Sequence, residues 1–153
     1  MSLPLHLLMV EDSEDDAQLL LRELKRGGYA VQYQRIELAE DMNRLLREDS
    51  WDLVISDYSM PRFNALQALE ILKASGLDLP FIIISGTIGE DMAVSAMRAG
   101  AHDYLLKGKL KKLIPVIQRE LREAEGGKVA DALTRHSAKP KSDIVTWLRM
   151  RAT

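Results

Sequence analysis

Cysteine is absent from the 153 residues, which removes a disulfide scaffold, a thiolate metal centre and a cysteine nucleophile, and fits a reducing compartment. No apolar run approaches the roughly 20 residues that cross a bilayer, and no basic segment with a long apolar stretch behind it opens the chain. Neither membrane insertion nor secretion is expected. A positive excess is missing too: 21 Lys and Arg stand against 23 Asp and Glu, giving net −2 and a pI near 5.9. Nothing in that balance draws the chain as a whole onto nucleic acid or anionic lipid. No Gly-x-Gly-x-x-Gly follows the first apolar run, and Gly86-Thr87-Ile88-Gly89 lacks the Gly-Lys-Ser/Thr ending of a nucleotide-binding loop. His6, His102 and His136 show no metal-ligand spacing and read as solvent-facing or packing residues.

What remains is 46% hydrophobic and 29% charged, enough apolar content for one compact domain and too much for a disordered chain. Five strand-length apolar runs occur in order: Leu5–Val10, Ala30–Ile36, Leu53–Ser56, Phe81–Ser85 and Asp103–Leu106. Between and after them, apolar residues recur at helical spacing: Ala17, Leu20 and Leu24; Met42, Leu45 and Leu46; Leu66, Leu69 and Leu72; Met92, Ala96 and Met97; Leu113, Ile117 and Leu121. Gly27-Gly28, Gly76 and Gly100 fall where the first, third and fourth helices should stop in left-handed caps. The third and fourth runs are almost wholly aliphatic, so both faces of those strands should be covered by helices. Right-handed crossovers then predict a doubly wound α/β sandwich, a five-stranded parallel sheet with helices on both faces. Its site should lie beyond the C-terminal ends of the strands.

The residues at those ends carry chemistry. The first run ends in Glu11-Asp12, the third in Asp57, the fourth in Ser85-Gly86-Thr87 and the fifth in Lys107. Three carboxylates meeting at one edge repel one another and raise each other's pKa unless a cation sits among them, and hard oxygen ligands of this kind suit Mg²⁺. An Mg²⁺ site that takes one or two carboxylates plus phosphate oxygens points to phosphoryl chemistry, with Asp57 as candidate nucleophile. Taken singly, these residues also have plain readings. Asp12, with Glu14, Asp15 and Asp16 after Ser13, suits a helix N-terminus. Asp57 suits a turn before Pro61, and Tyr104 suits half-buried packing.

Taken together, Val10-Glu11-Asp12, Ser56-Asp57-Tyr58-Ser59-Met60-Pro61, Ser85-Gly86 and Asp103-Tyr104-Leu105-Leu106-Lys107 resemble the signature of bacterial response-regulator receiver domains. Each string is weak alone. Their order, and their placement at the ends of strands one, three, four and five, make the combination specific over roughly residues 5–125. The resemblance implies a flavodoxin-like fold and a phosphorylation-activated response regulator in a two-component phosphorelay. Asp57 would be the phosphoacceptor, supplied by a sensor histidine kinase, a phosphotransfer protein or a small phosphodonor. Glu11 and Asp12, with Asp57 and the backbone carbonyl of Ser59, would hold Mg²⁺. Lys107 would neutralise the phosphoryl oxygens, and Ser85 would hydrogen-bond the phosphate. Ser85 and Tyr104 would form the switch, and Ser59 and Thr87 would tune the phosphate's lifetime. The implied chemistry is confined to the protein's own phosphorylation and dephosphorylation, so the chain is not expected to be an enzyme. A cytoplasmic location follows, as does a homodimer surface on the fourth helix, fifth strand and fifth helix.

Two positions depart from the family pattern. Lys107 precedes Gly108 where the family has proline, and a non-proline cis bond costs about 3–4 kcal/mol, so this peptide should be trans. Ala65 replaces a common glycine at the start of the third helix. An aspartyl-phosphate hydrolase on a similar scaffold is the competing reading, but that class places a second acid two residues after its nucleophile, and Ser59 stands there. A phosphate-independent binding module has no support from the intact acids and lysine.

The chain divides at residue 125 into the receiver-like part, 1–125, and a basic tail, 126–153. The tail carries Lys128, Arg135, Lys139, Lys141, Arg149 and Arg151 against Asp131 and Asp143. Gly126-Gly127 is expected to end the last helix, and residues 137–141 to form a linker. A short amphipathic segment capped by Ser142 would then pack Trp147 back on the domain.

Overall fold

The computed structural model describes residues 2–58, 60–86 and 89–138, and the side-chain surroundings of these residues as far as 125. Five strands alternate with five helices: β1 (Leu3–Val10), α1 (Glu14–Arg26), β2 (Tyr29–Ile36), α2 (Ala39–Glu48), β3 (Leu53–Asp57), α3 (Ala65–Ser75), β4 (Phe81–Ser85), α4 (Glu90–Ala99), β5 (Asp103–Leu106) and α5 (Leu113–Ala138). A 3₁₀ turn (Lys107–Lys112) joins β5 to α5. All neighbouring strands pair in parallel, in the order β2-β1-β3-β4-β5. This is the flavodoxin-like, doubly wound sheet the sequence predicts. The order reverses between β1 and β3, the switch point at which such sheets place their ligands.

Alternation along the strands sorts the core into two layers. Leu8, Val10, Val54, Phe81 and Ile83 face one side and meet Met42, Leu46, Trp51, Leu69, Leu72 and Ala96, which α2, α3, α4 and the turn before β3 supply. Leu7, Met9, Leu53, Ile55, Ile82 and Ile84 face the other side and meet Ala17, Leu20, Leu24, Leu113 and Ile117 of α1 and α5. Every residue of β3 and β4 is buried, as two-sided coverage requires. Trp51, with no exposed surface, donates its indole N–H to the carbonyl of Leu45 at 3.0 Å, so the largest core side chain is also satisfied.

The helix starts are chemically specified. Ser13 caps α1 by accepting from the N–H of Asp16, and Asn64 and Gln67 form a reciprocal capping box on α3, both bonds at 2.9 Å. Gly76 and Gly100 take the expected left-handed conformation, with φ of 78° and 113°. At the end of α1 that role passes to Gly28, while Gly27 has φ −77°. Gly27 matters for packing instead, since a Cβ there would overlap the side chain of Ile114 on α5.

One boundary needs correction. α5 does not stop at Gly126-Gly127 but runs to Ala138, about 39 Å at 1.5 Å per residue. Glycine costs roughly 1 kcal/mol against alanine within a helix yet keeps its N–H donor. Glu123, Ala124 and Glu125 before the pair, and Lys128, Ala130 and Ala132 after it, are good helix formers. The expected segment around Ser142 and Trp147 lies outside the described residues. Among the described residues no helix is long and apolar enough to cross a membrane.

Candidate functional site

Strand register brings the chemistry to one edge. Val10 pairs with Ser56, Asp57 with Ile84, and Ser85 with Leu106. Glu11, Asp57, Ser85 and Lys107 therefore leave the sheet within about two residues of the same level, on β1, β3, β4 and β5. Glu11, Asp12 and Asp57 each present a carboxylate oxygen, all within 4.8 Å of one another. Glu11 and Asp57 are buried at 6% and 9% exposure, whereas Asp12 is exposed at the rim. Met9, Leu20, Ile55, Ile84 and Leu110 line the recess beside them.

The Lys107 ammonium sits among these acids, 3.3 Å from Glu11 Oε1 and 3.5 Å from Asp57 Oδ1. Its shortest contact is with Asp16 Oδ2, at 2.5 Å. One ammonium facing Glu11, Asp12, Asp16 and Asp57 leaves the site short of positive charge, and the proton affinities register it. Burial, and then Asp57, push the Glu11 carboxyl up to about 7. Burial likewise raises Asp57, against the opposing pull of Lys107. Burial works to lower Lys107, but the carboxylates around it outweigh that and raise its pKa. A group of hard oxygen donors with surplus negative charge fits a small divalent cation.

The loop after β1 is held from β2. Arg35 donates to the carbonyl of Glu11 at 3.1 Å and pairs with Glu14 at 3.0 Å and Glu37 at 3.7 Å. The N–H of Ser13 donates to Glu11 Oε2 at 3.2 Å. Ser85 is buried at the end of β4. The Lys107–Gly108 peptide is trans, as expected, since the described residues contain no cis bond. Ser59 and Thr87 lie outside the described residues.

Tyr104 packs against the α2–α4 layer, edge-on to Tyr58 with ring centroids 5.9 Å apart. Its hydroxyl is buried and has no hydrogen-bond partner among the described residues. His6 stacks near Trp51 at 4.2 Å, and the Nδ1 of His102 accepts from the N–H of Phe81 at 3.0 Å; both act in packing.

Two residues at this edge escape a sequence reading. Asp16 looks like an acid that favours the dipole of its own helix, and Arg35 like a charge on an outer strand. Only the fold places the first beside a lysine 91 residues away and the second behind Glu11.

A family model described as the response regulator receiver domain matches residues 7–118. The response regulator MprA of Mycolicibacterium vanbaalenii is 33% identical over 108 residues, which cover 69% of this chain and 45% of that protein. The two-component response regulator ARR11 of Arabidopsis thaliana is 36% identical over 122 residues, covering 78% of this chain and 23% of that protein. This chain thus spans less than half the length of either relative. Among solved structures, FixJ-N superimposes with a TM-score of 0.67 at 27% identity, covering 77% of this chain and 94% of that one. The signal receiver domain of a Vibrio parahaemolyticus protein superimposes with a TM-score of 0.73 at 23% identity, covering 84% and 98%, a likeness of fold. A family match over residues 7–118 takes in every element from α1 to β5, and the chain belongs to the response regulator receiver domains of two-component signalling.

Proposed function

We propose that this receiver takes a phosphoryl group on Asp57 and signals by protein contact. The observation that carries this reading is the convergence of Glu11, Asp12 and Asp57 within 4.8 Å beside the Lys107 ammonium. An Asp57 carboxylate oxygen attacks phosphorus, the bond to a phosphohistidine nitrogen or to a small donor's oxygen breaks, and the leaving group departs in line. Mg²⁺, when bound by Glu11, Asp12, Asp57 and the carbonyl of Ser59, offsets the negative charge of the phosphoryl group. Lys107 holds a second positive charge against those oxygens, and the Ser85 hydroxyl offers them a hydrogen bond. Little covalent work is asked of the protein beyond placing charges and donors.

The donor is a sensor histidine kinase or a phosphotransfer protein. Ser59 and Thr87 set access of the water that removes the phosphate. Drawing Ser85 toward the phosphate, with Tyr104 as the second switch residue, alters the surface of α4, β5 and α5, where a homodimer or another partner docks. This chemistry stays on the protein itself, in a cytoplasmic receiver, 1–125, that binds neither nucleic acid nor membrane. Residues 126–153 are a basic extension whose first part continues α5 to Ala138.

Incubation with acetyl phosphate and Mg²⁺, followed by intact-mass measurement, tests the assignment. Wild type gains one phosphate and Asp57→Asn gains none. A variant labelled at the wild-type rate removes Asp57 from the reaction.

A further inference from the structure

Lys107 is gripped by a carboxylate that the phosphoryl chemistry does not use. Its Nζ is 2.5 Å from Asp16, closer than its 3.3 Å and 3.5 Å separations from Glu11 and Asp57. The turn that carries Asp16 is fixed, because its N–H donates to Ser13 Oγ at 3.2 Å in the N-cap bond of α1. A Glu or Gln at this third helical position often turns back to the N–H of the cap residue. Here that N–H is taken by Glu11 Oε2, and the Asp16 carboxylate reaches across to the turn after β5. The backbone at the other end is irregular. Lys107 opens a 3₁₀ turn, Gly108 has no atom within 4 Å of where a Cβ would stand, and Lys109 leaves helical geometry with φ −126° and ψ 43°.

We propose that Asp16 is a positioning residue of the phosphoryl-transfer site, tethering the Lys107 ammonium over Asp57. The inference rests on the phosphoacceptor reading. An ammonium has three N–H donors. With one spent on Asp16, the other two face Glu11 and Asp57, the side from which phosphoryl oxygens arrive. A tether of this kind acts before any phosphate is bound, by narrowing the positions the flexible lysine stem samples.

The test compares wild type, Asp16→Asn and Asp16→Glu. Phosphorylation by acetyl phosphate at saturating Mg²⁺ is followed by intact mass, and the ¹⁵N resonance of the Lys107 ammonium is recorded without phosphate. Asp16→Asn should slow phosphorylation about tenfold, less than the ~100-fold that a fully misplaced group costs. It should also broaden the ammonium resonance, which stays sharp only while persistent partners slow solvent exchange. Mg²⁺ affinity measured by calorimetry should stay nearly unchanged, and Asp16→Glu should recover part of the rate. A rate within about fivefold of wild type, the most that a surface ion pair usually supplies, overturns the proposal. A faster rate also overturns it, because Asp16 would then compete with phosphate for Lys107. If wild type takes no phosphate, the phosphoacceptor reading falls and this role falls with it. The ammonium resonance, which needs no phosphate, separates that failure from a failure of the tether alone.

Discussion

The charge of Glu11 is costly to this fold. Its carboxyl is buried, and that burial, reinforced by Asp57, raises its pKa from 4.5 to about 7. A folded-state pKa above the unfolded one means that the native chain binds the proton more tightly. The stability this supplies is complete below about pH 4.5 and is lost as pH rises through about 7. The shift corresponds to about 3 kcal/mol, a large part of a small domain's stability. Glu11→Gln keeps an oxygen to accept from Ser13 and holds the neutral form at every pH. Urea unfolding with a chelator present should find the variant close to wild type near pH 4.5 and about 3 kcal/mol more stable near pH 8, at equal urea dependence. Adding Mg²⁺ at about pH 8 should close much of that gap, since an ion at 100 times its Kd stabilises the native state by roughly 2.7 kcal/mol. A variant offset equal at both pH values refutes the reasoning, because the cost would then not come from ionising Glu11.

Replacing Glu11 and Asp12 together by Gln and Asn should weaken Mg²⁺ binding at least tenfold by calorimetry, about 1.4 kcal/mol per decade, with the fold intact; unchanged binding removes both from the metal site. Gly27→Ala drives a Cβ into Ile114 at the α1–α5 contact and should cost about 1–3 kcal/mol in the same unfolding assay. Tyr104→Phe deletes a buried hydroxyl that has no partner among the described residues and should stabilise the domain by about 1 kcal/mol; a loss of that size would show that the hydroxyl is satisfied in solution.

The sheet was legible because its period and its punctuation agree. β4 and β5 occupy the predicted residues and β3 gains only Asp57; two-sided burial sets the apolar runs of β3 and β4. β1 was harder to bound. It begins at Leu3 and includes Pro4, which usually argues against a strand, yet β3 first pairs with β1 at Leu7. Pro4 therefore has no neighbour on that side to need its missing N–H. The convergence of Glu11, Asp12, Asp57 and Lys107 was legible from their strand-end positions. Asp16 was not, because its partner is fixed by the docking of α1 beside the turn after β5, which no local pattern encodes. The end of α5 was misjudged for the opposite reason, since a glycine pair is a strong local signal that the flanking helix formers override.

The acids and the amine of this site stand on elements of unequal firmness. Glu11 extends β1, which pairs on both sides, and Asp57 ends β3, in which every residue is buried. Lys107 follows β5, an edge strand of four residues paired only with β4, of which only Leu105 is buried. Few interactions hold such a segment, so its local opening costs little beside that of the central strands. A phosphoryl group shifts a conformational equilibrium only by the difference in its affinity for the two states. Contacts with the central acids change little between states, because those strands have nowhere to go. On the proposed reading the difference comes from Lys107 and the residues packed beside the β5 edge, Tyr104 first. On the proposed reading, phosphorylation therefore acts on the β5 edge and the adjoining helices, and it does so because the central strands that present its carboxylates do not yield.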